Sequence, residues 1–126
     1  MKFLHTADWH IGRKLNGFSL LEEQEYAFNQ LMEVAKKEEV DAIVIAGDLY
    51  DRSVPSIEAV ALFNHMMKEM NLIEGFPVLA ISGNHDSSTR LDTGSPWLKE
   101  QQFHLQTQLE QSFEPVEMLG VLFYLL

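Results

Sequence analysis

The chain has 126 residues, 46% of them hydrophobic and 22% charged, with seven glycines and four prolines; that is the size and composition of one globular domain, and it excludes a disordered or collagenous chain. With no cysteine, a disulfide scaffold, a thiolate metal site and a cysteine nucleophile are excluded as well. Nine basic residues face nineteen acidic ones for a net charge of −10, the reverse of the basic footprint usual in nucleic-acid binders.

Lys2 to Thr6 reads as a short strand. Polar His5 and Asp8 follow Met1 to Leu4 at once, so no targeting signal is visible, and the reducing cytoplasm is the expected compartment. No apolar run approaches the ~18 residues of a membrane span. Ser19 to Glu22 fits an S-x-x-E capping box opening a helix to about Glu39. Glu22, Glu23 and Glu25 near its start and Lys36 and Lys37 near its end suit the helix dipole. Leu20, Ala27, Leu31, Val34 and Ala35 supply its apolar face.

Asp41 to Ala46 is a β-rich apolar run stopped by Gly47, hence a buried strand. A second helix is expected from about Ser56 to Asn71, with Ile57, Val60, Ala61, Phe63, Met67 and Met70 as its core residues. Pro77 to Ser82 is a third buried strand, stopped by Gly83. The order β-α-β-α-β defines an α/β protein and favours a parallel sheet with right-handed crossovers. Beyond Asp86, Trp97 to Gln102 fits a short helix, and His104 to Gln108 and Val116 to Met118 fit strands. Gly120 to Leu126 is strongly strand-like and reaches the last residue without a polar close, so the expectation is a piece of a longer polypeptide. A strand left open in this way pairs with another chain, so a homo-oligomer through residues 116–126 is expected.

Each of the three buried strands runs into a polar cluster: Asp8-Trp9-His10, then Gly47-Asp48-Leu49-Tyr50-Asp51-Arg52, then Gly83-Asn84-His85-Asp86. In open parallel sheets ligands bind beyond the carboxyl ends of the strands, so three loops leaving one edge can converge. Carboxylate, imidazole and amide oxygen suit manganese, iron or zinc. Each cluster alone has a plain reading: D-x-H as a helix cap beside a surface histidine, and G-D as a turn. Their joint occurrence after successive strands points to a metal site. His5, His65 and His104 lack that context and read as structural or surface residues. Four basic residues, Arg13, Lys14, Arg52 and Arg90, lie just downstream of the clusters, so an acidic body with basic residues near a site stands beside the plainer reading of a solvated acidic surface. Neither a phosphate-binding glycine loop nor a G-x-S-x-G elbow occurs, so ATP hydrolysis and serine acyl transfer lack support.

Asp8-x-His10, Gly47-Asp48-x-x-Asp51-Arg52 and Gly83-Asn84-His85-Asp86 resemble the first three motifs of the calcineurin-like metallophosphoesterases. Leu4 to Arg13 is similar, more narrowly, to nucleases of the SbcD type. The resemblance implies a β-sandwich flanked by helices, of which residues 1–126 would form the N-terminal part. It implies hydrolysis of DNA phosphodiesters with two divalent ions, manganese the usual one, in partnership with an SbcC-type ATPase. Carried over by motif, Asp8 and His10 bind the first ion, Asp48 bridges both, and Asn84 binds the second. His85 acts on the phosphate as general acid or transition-state stabiliser, Asp86 orients His85, and Asp51 and Arg52 support the ligands. The family's further histidines, one alone and one G-H-x-H motif, do not occur in this chain. Another phosphoesterase of the same family, acting on phosphoproteins or small phosphodiesters, and a non-catalytic scaffold are the alternatives. Intact Asp8, His10, Asp48, Asn84 and His85 argue against the scaffold.

Overall fold

The computed structural model describes residues 1–126. Strand β1 (Phe3–Ala7) leads through a small hairpin, β2 (Lys14–Leu15) and β3 (Phe18–Ser19), into helix α1 (Leu21–Lys37). Strand β4 (Ala42–Ala46), helix α2 (Ile57–Met67) with a π-helical extension (Lys68–Ile73), and strand β5 (Val78–Ile81) follow. Two short helices, α3 (Ser88–Leu91) and α4 (Ser95–Glu100), precede strand β6 (Phe103–Gln106). A 3₁₀ turn (Leu109–Phe113) then leads to β7 (Val116–Met118) and β8 (Val121–Phe123).

The main sheet is parallel throughout, in the order β1-β4-β5-β6. Strand order and sequence order coincide. With right-handed crossovers, successive steps in one direction put every connecting helix on the same face. Accordingly Ile43, Ile45, Val78, Ala80, Phe103 and Leu105 pack with Phe28, Met32 and Ala35 of α1 and with Ala59, Phe63 and Met66 of α2 in one core. On the opposite face His5, Val44, Leu79 and His104 stand in one row across the sheet. The antiparallel β7–β8 hairpin and the last residues lie there. Phe123 meets Phe3 edge to face at 5.7 Å, and Tyr124, Leu125 and Leu126 line a cavity of about 210 Å³ with Val44, Ala46, Leu79 and Ile81. Within these residues the expected sandwich is thus a parallel sheet opposed by one two-stranded hairpin. The expected strand over 120–126 is shorter, β8, and it pairs with β7 in its own chain.

Several local expectations are corrected. Ser19 belongs to β3 and leaves α1 without a side-chain cap; its Oγ reaches only the Leu21 N–H, at 3.3 Å. The buried face of α1 is Phe28, Met32 and Ala35, while Ala27 and Val34 are exposed. On α2, Ser56 does cap the helix, accepting from the Ala59 N–H. The buried residues, however, are Ala59, Phe63, Met66 and Met70, and Ile57, Val60 and Ala61 face outward. Apolar residues ring this helix, so periodicity could not choose a face. The packing chooses Ala59 because the turn at Gly12 comes so close: a Cβ on Gly12 would lie 2.9 Å from the Ala59 Cβ. The third correction is β6, which ends at Gln106 instead of Gln108 because the Gln111 side chain accepts from the Thr107 and Gln108 N–H groups and turns the chain.

Candidate metal centre

The loops after β1, β4 and β5 meet at one edge of the sheet. Backbone bonds knit the first two together: Asp8 N–H to Gly47 O at 3.2 Å, His10 N–H to Asp48 O at 2.9 Å and Ile11 N–H to Leu49 O at 2.9 Å. Asp8, His10 and Asp48 all hold left-handed backbone, with φ of 53°, 46° and 47°. Such conformations are costly for residues with a Cβ and persist where the surroundings impose them, commonly at functional sites. The third loop closes on the second through Gly83. A Cβ there would collide with the Asp48 backbone nitrogen and carboxylate, so only glycine lets the two loops touch.

Asp48 is the hub. It is buried, and its carboxylate accepts from the His85 N–H at 2.9 Å and contacts the His85 ring Nδ1 at 2.9 Å. The His10 Nε2 lies 3.7 Å from Oδ2, the same oxygen that the His85 ring contacts. One nitrogen or oxygen from each of His10, Asp48 and His85 falls within 4.8 Å of the others. The terminal amide of Asn84 sits 3.2 and 3.1 Å from the two Asp48 oxygens. Turned one way the amide donates to Asp48; turned the other, its oxygen joins a set of acceptors facing one another, which a cation would satisfy. Asp8 stands at the rim, exposed, with Oδ1 3.9 Å from His10 Nε2. Behind His10, its Nδ1 is buried and lies 3.3 Å from Asp51 Oδ1, too poorly aligned for a hydrogen bond. A ligating imidazole with its second nitrogen toward a carboxylate is the usual arrangement around metals. The donor set therefore fits a hard or borderline divalent ion.

Burial opposes ionisation of Asp48, but the His85 ring and N–H groups, with the charge of His85 and His10, outweigh it and hold the carboxyl below its ordinary value. The same hydrogen bond, then the Asp48 charge, raises His85. His104 is half buried on the far face of the sheet, and burial lowers its pKa.

Asp86 does not touch the His85 ring. Its carboxylate accepts from Leu49 N–H (2.9 Å), Tyr50 N–H (2.8 Å) and Gly83 N–H (2.8 Å), stapling the second loop to the third. The contact to the His85 ring comes from Asp48. Arg52 joins no ion pair here; Arg13 takes that position, its Nε 3.7 Å from Asp51. The Asp86 staple and the Gly83 contact were not legible, since both depend on the approach of two segments more than thirty residues apart.

The sequence pattern of the calcineurin-like phosphoesterases matches residues 1–123. The chain is also 48% identical over all 126 residues to the SbcD component of the SbcCD nuclease of Staphylococcus epidermidis, and it spans 34% of that protein's length. A match over nearly the whole chain shows that this chain belongs to the calcineurin-like phosphoesterase family.

Proposed function

We propose that the chain carries ligands of a two-ion phosphodiesterase site that cleaves DNA, in a nuclease working with an SbcC-type ATPase. The observation that supports this most is the meeting of His10, Asp48 and His85 within 4.8 Å, with the Asn84 amide on the same carboxylate. Asp8, His10 and Asp48 would hold one ion and Asp48 with Asn84 the other, manganese being the expected element. When bound, such ions supply an activated water and positive charge against the phosphate. His85 has its Nδ1 on Asp48, which leaves the far edge of a half-exposed ring for a phosphate oxygen. There it donates a proton to the leaving oxygen or a hydrogen bond to developing charge. Exposed Arg13, Lys14, Arg52 and Arg90 offer cationic contacts to the strand phosphates.

The second ion has only two ligands in this chain, so its affinity is the weaker and turnover by these residues alone is low. Manganese-dependent cleavage of linear duplex DNA by the whole gene product tests the reading. Cleavage lost in His85→Ala, with the first ion retained, supports it. Hydrolysis of small phosphodiesters or phosphopeptides with DNA untouched favours another phosphoesterase, and metal binding without hydrolysis favours a scaffold. Exposed Leu122, Tyr124 and Leu126 extend the proposal to a homo-oligomer through residues 116–126, which light scattering of Leu122→Lys against wild type tests.

A further inference from the structure

The segment from Asp8 to Gly12 alternates left-handed residues, at Asp8, His10 and Gly12. Its Asp8, His10 and Ile11 N–H groups are taken by the loop after β4. The Gly12 N–H and the carbonyls of Trp9 and His10 face α1, the His10 carbonyl also accepting from the Arg13 N–H at 3.0 Å. One side chain meets all three. Gln24 accepts from Gly12 N–H at 3.0 Å and donates through Nε2 to His10 O at 2.8 Å and Trp9 O at 3.3 Å. It sits in the first turn of α1, where its own N–H bonds Leu20 O at 2.9 Å.

The chemistry demands an amide. One end must accept and the other must donate, and a carboxylate would set an acceptor against two carbonyls. Gln24 interrupts a run of glutamates, Glu22-Glu23-Gln24-Glu25, and it is half buried while its three neighbours are exposed. We infer that Gln24 is a positioning residue, the clamp that holds the 8–12 segment in the shape that brings His10 to Asp48 and keeps Asp8 beside His10. Its consequence at the ion rests on the metal reading proposed above; the clamp itself does not.

The test uses two variants and two readouts. Gln24→Met keeps length and packing without hydrogen bonds, and Gln24→Glu keeps size and the acceptor but not the donor. Amide exchange in the metal-free protein should show loss of protection at Gly12 and at the neighbouring His10 and Ile11 in both. Calorimetric titration with manganese should show affinity at the Asp8–His10 site falling about tenfold or more, the range for residues that orient ligands. Protection and affinity equal to wild type in Gln24→Met would reduce Gln24 to a packing residue and overturn the inference. Lost protection in both variants, in a wild type that takes up no manganese, would uphold the clamp and overturn the metal reading alone.

Discussion

Asp48 and His85 share a hydrogen bond that lowers the pKa of the one and raises that of the other, and its removal has a defined signature. In the metal-free protein the His85 imidazole should titrate above its ordinary value of 6.5, and Asp48→Asn should bring it down, read from the ring proton shifts by NMR. Because the folded value is raised, the stabilisation is complete below the ordinary histidine value and is lost as pH rises through the raised one. The carboxyl works oppositely: its contribution is present above its ordinary value of 3.8 and is lost as pH falls through the depressed one. Melting of the metal-free chain should therefore weaken at both ends of the window between them, and His85→Ala should flatten the upper end. Gly83→Ala is a purely steric probe beside the same carboxylate. Its Cβ would lie 2.6 Å from Asp48 Cγ and closer still to the backbone nitrogen, which cannot move aside. Overpacking of this kind costs about 1–3 kcal/mol, measured by urea denaturation, and should weaken manganese binding in parallel.

At the level of elements, the strands were legible and the helix faces were not. Short β-branched runs ended by Gly47 and Gly83 can only be buried strands, and each delivers its cluster to the same edge. The apolar circumference of α2 carries no such instruction, and the sheet and Gly12 rotate it so that Ala59, Phe63 and Met66 turn inward. A pair of truncations separates the two faces. Phe63→Ala removes a ring that is 3% exposed and meets Tyr50 edge to face at 5.1 Å, so it should cost roughly 3–5 kcal/mol. Ile57→Ala, at a position 86% exposed, should stay within about 0.5 kcal/mol of wild type by the same denaturation. The meeting of His10, Asp48 and His85 was legible for a related reason: residue type and place after a strand mark them. Asp86 was misplaced because its partners are backbone N–H groups, which no side-chain pattern announces.

For the molecule as a whole, a net charge of −10 sits beside an edge that gathers Asp8, Asp48 and Asp51. An ion bound there stabilises the folded state by mass action. Manganese at about a hundred times its dissociation constant should contribute about 2.7 kcal/mol and raise the melting temperature on the order of 10 °C. Chelation should reverse the rise, and Asp48→Asn should abolish it.

The monotonic strand order β1-β4-β5 also fixes which ligand can be common property. Neighbouring strands run about 4.8 Å apart, so the backbones of the two outer strands stand roughly twice that distance from each other, and His10 and His85 meet only by reaching inward over the middle strand. A residue at the end of the middle strand has a neighbouring loop on each flank, and that residue is Asp48, whose Oδ2 lies 3.7 Å from His10 Nε2 and 2.9 Å from His85 Nδ1. Centrality in the site is thus inherited from position in the weave. A chain with the same three clusters on strands shuffled into another order would present the same side chains without this central carboxylate.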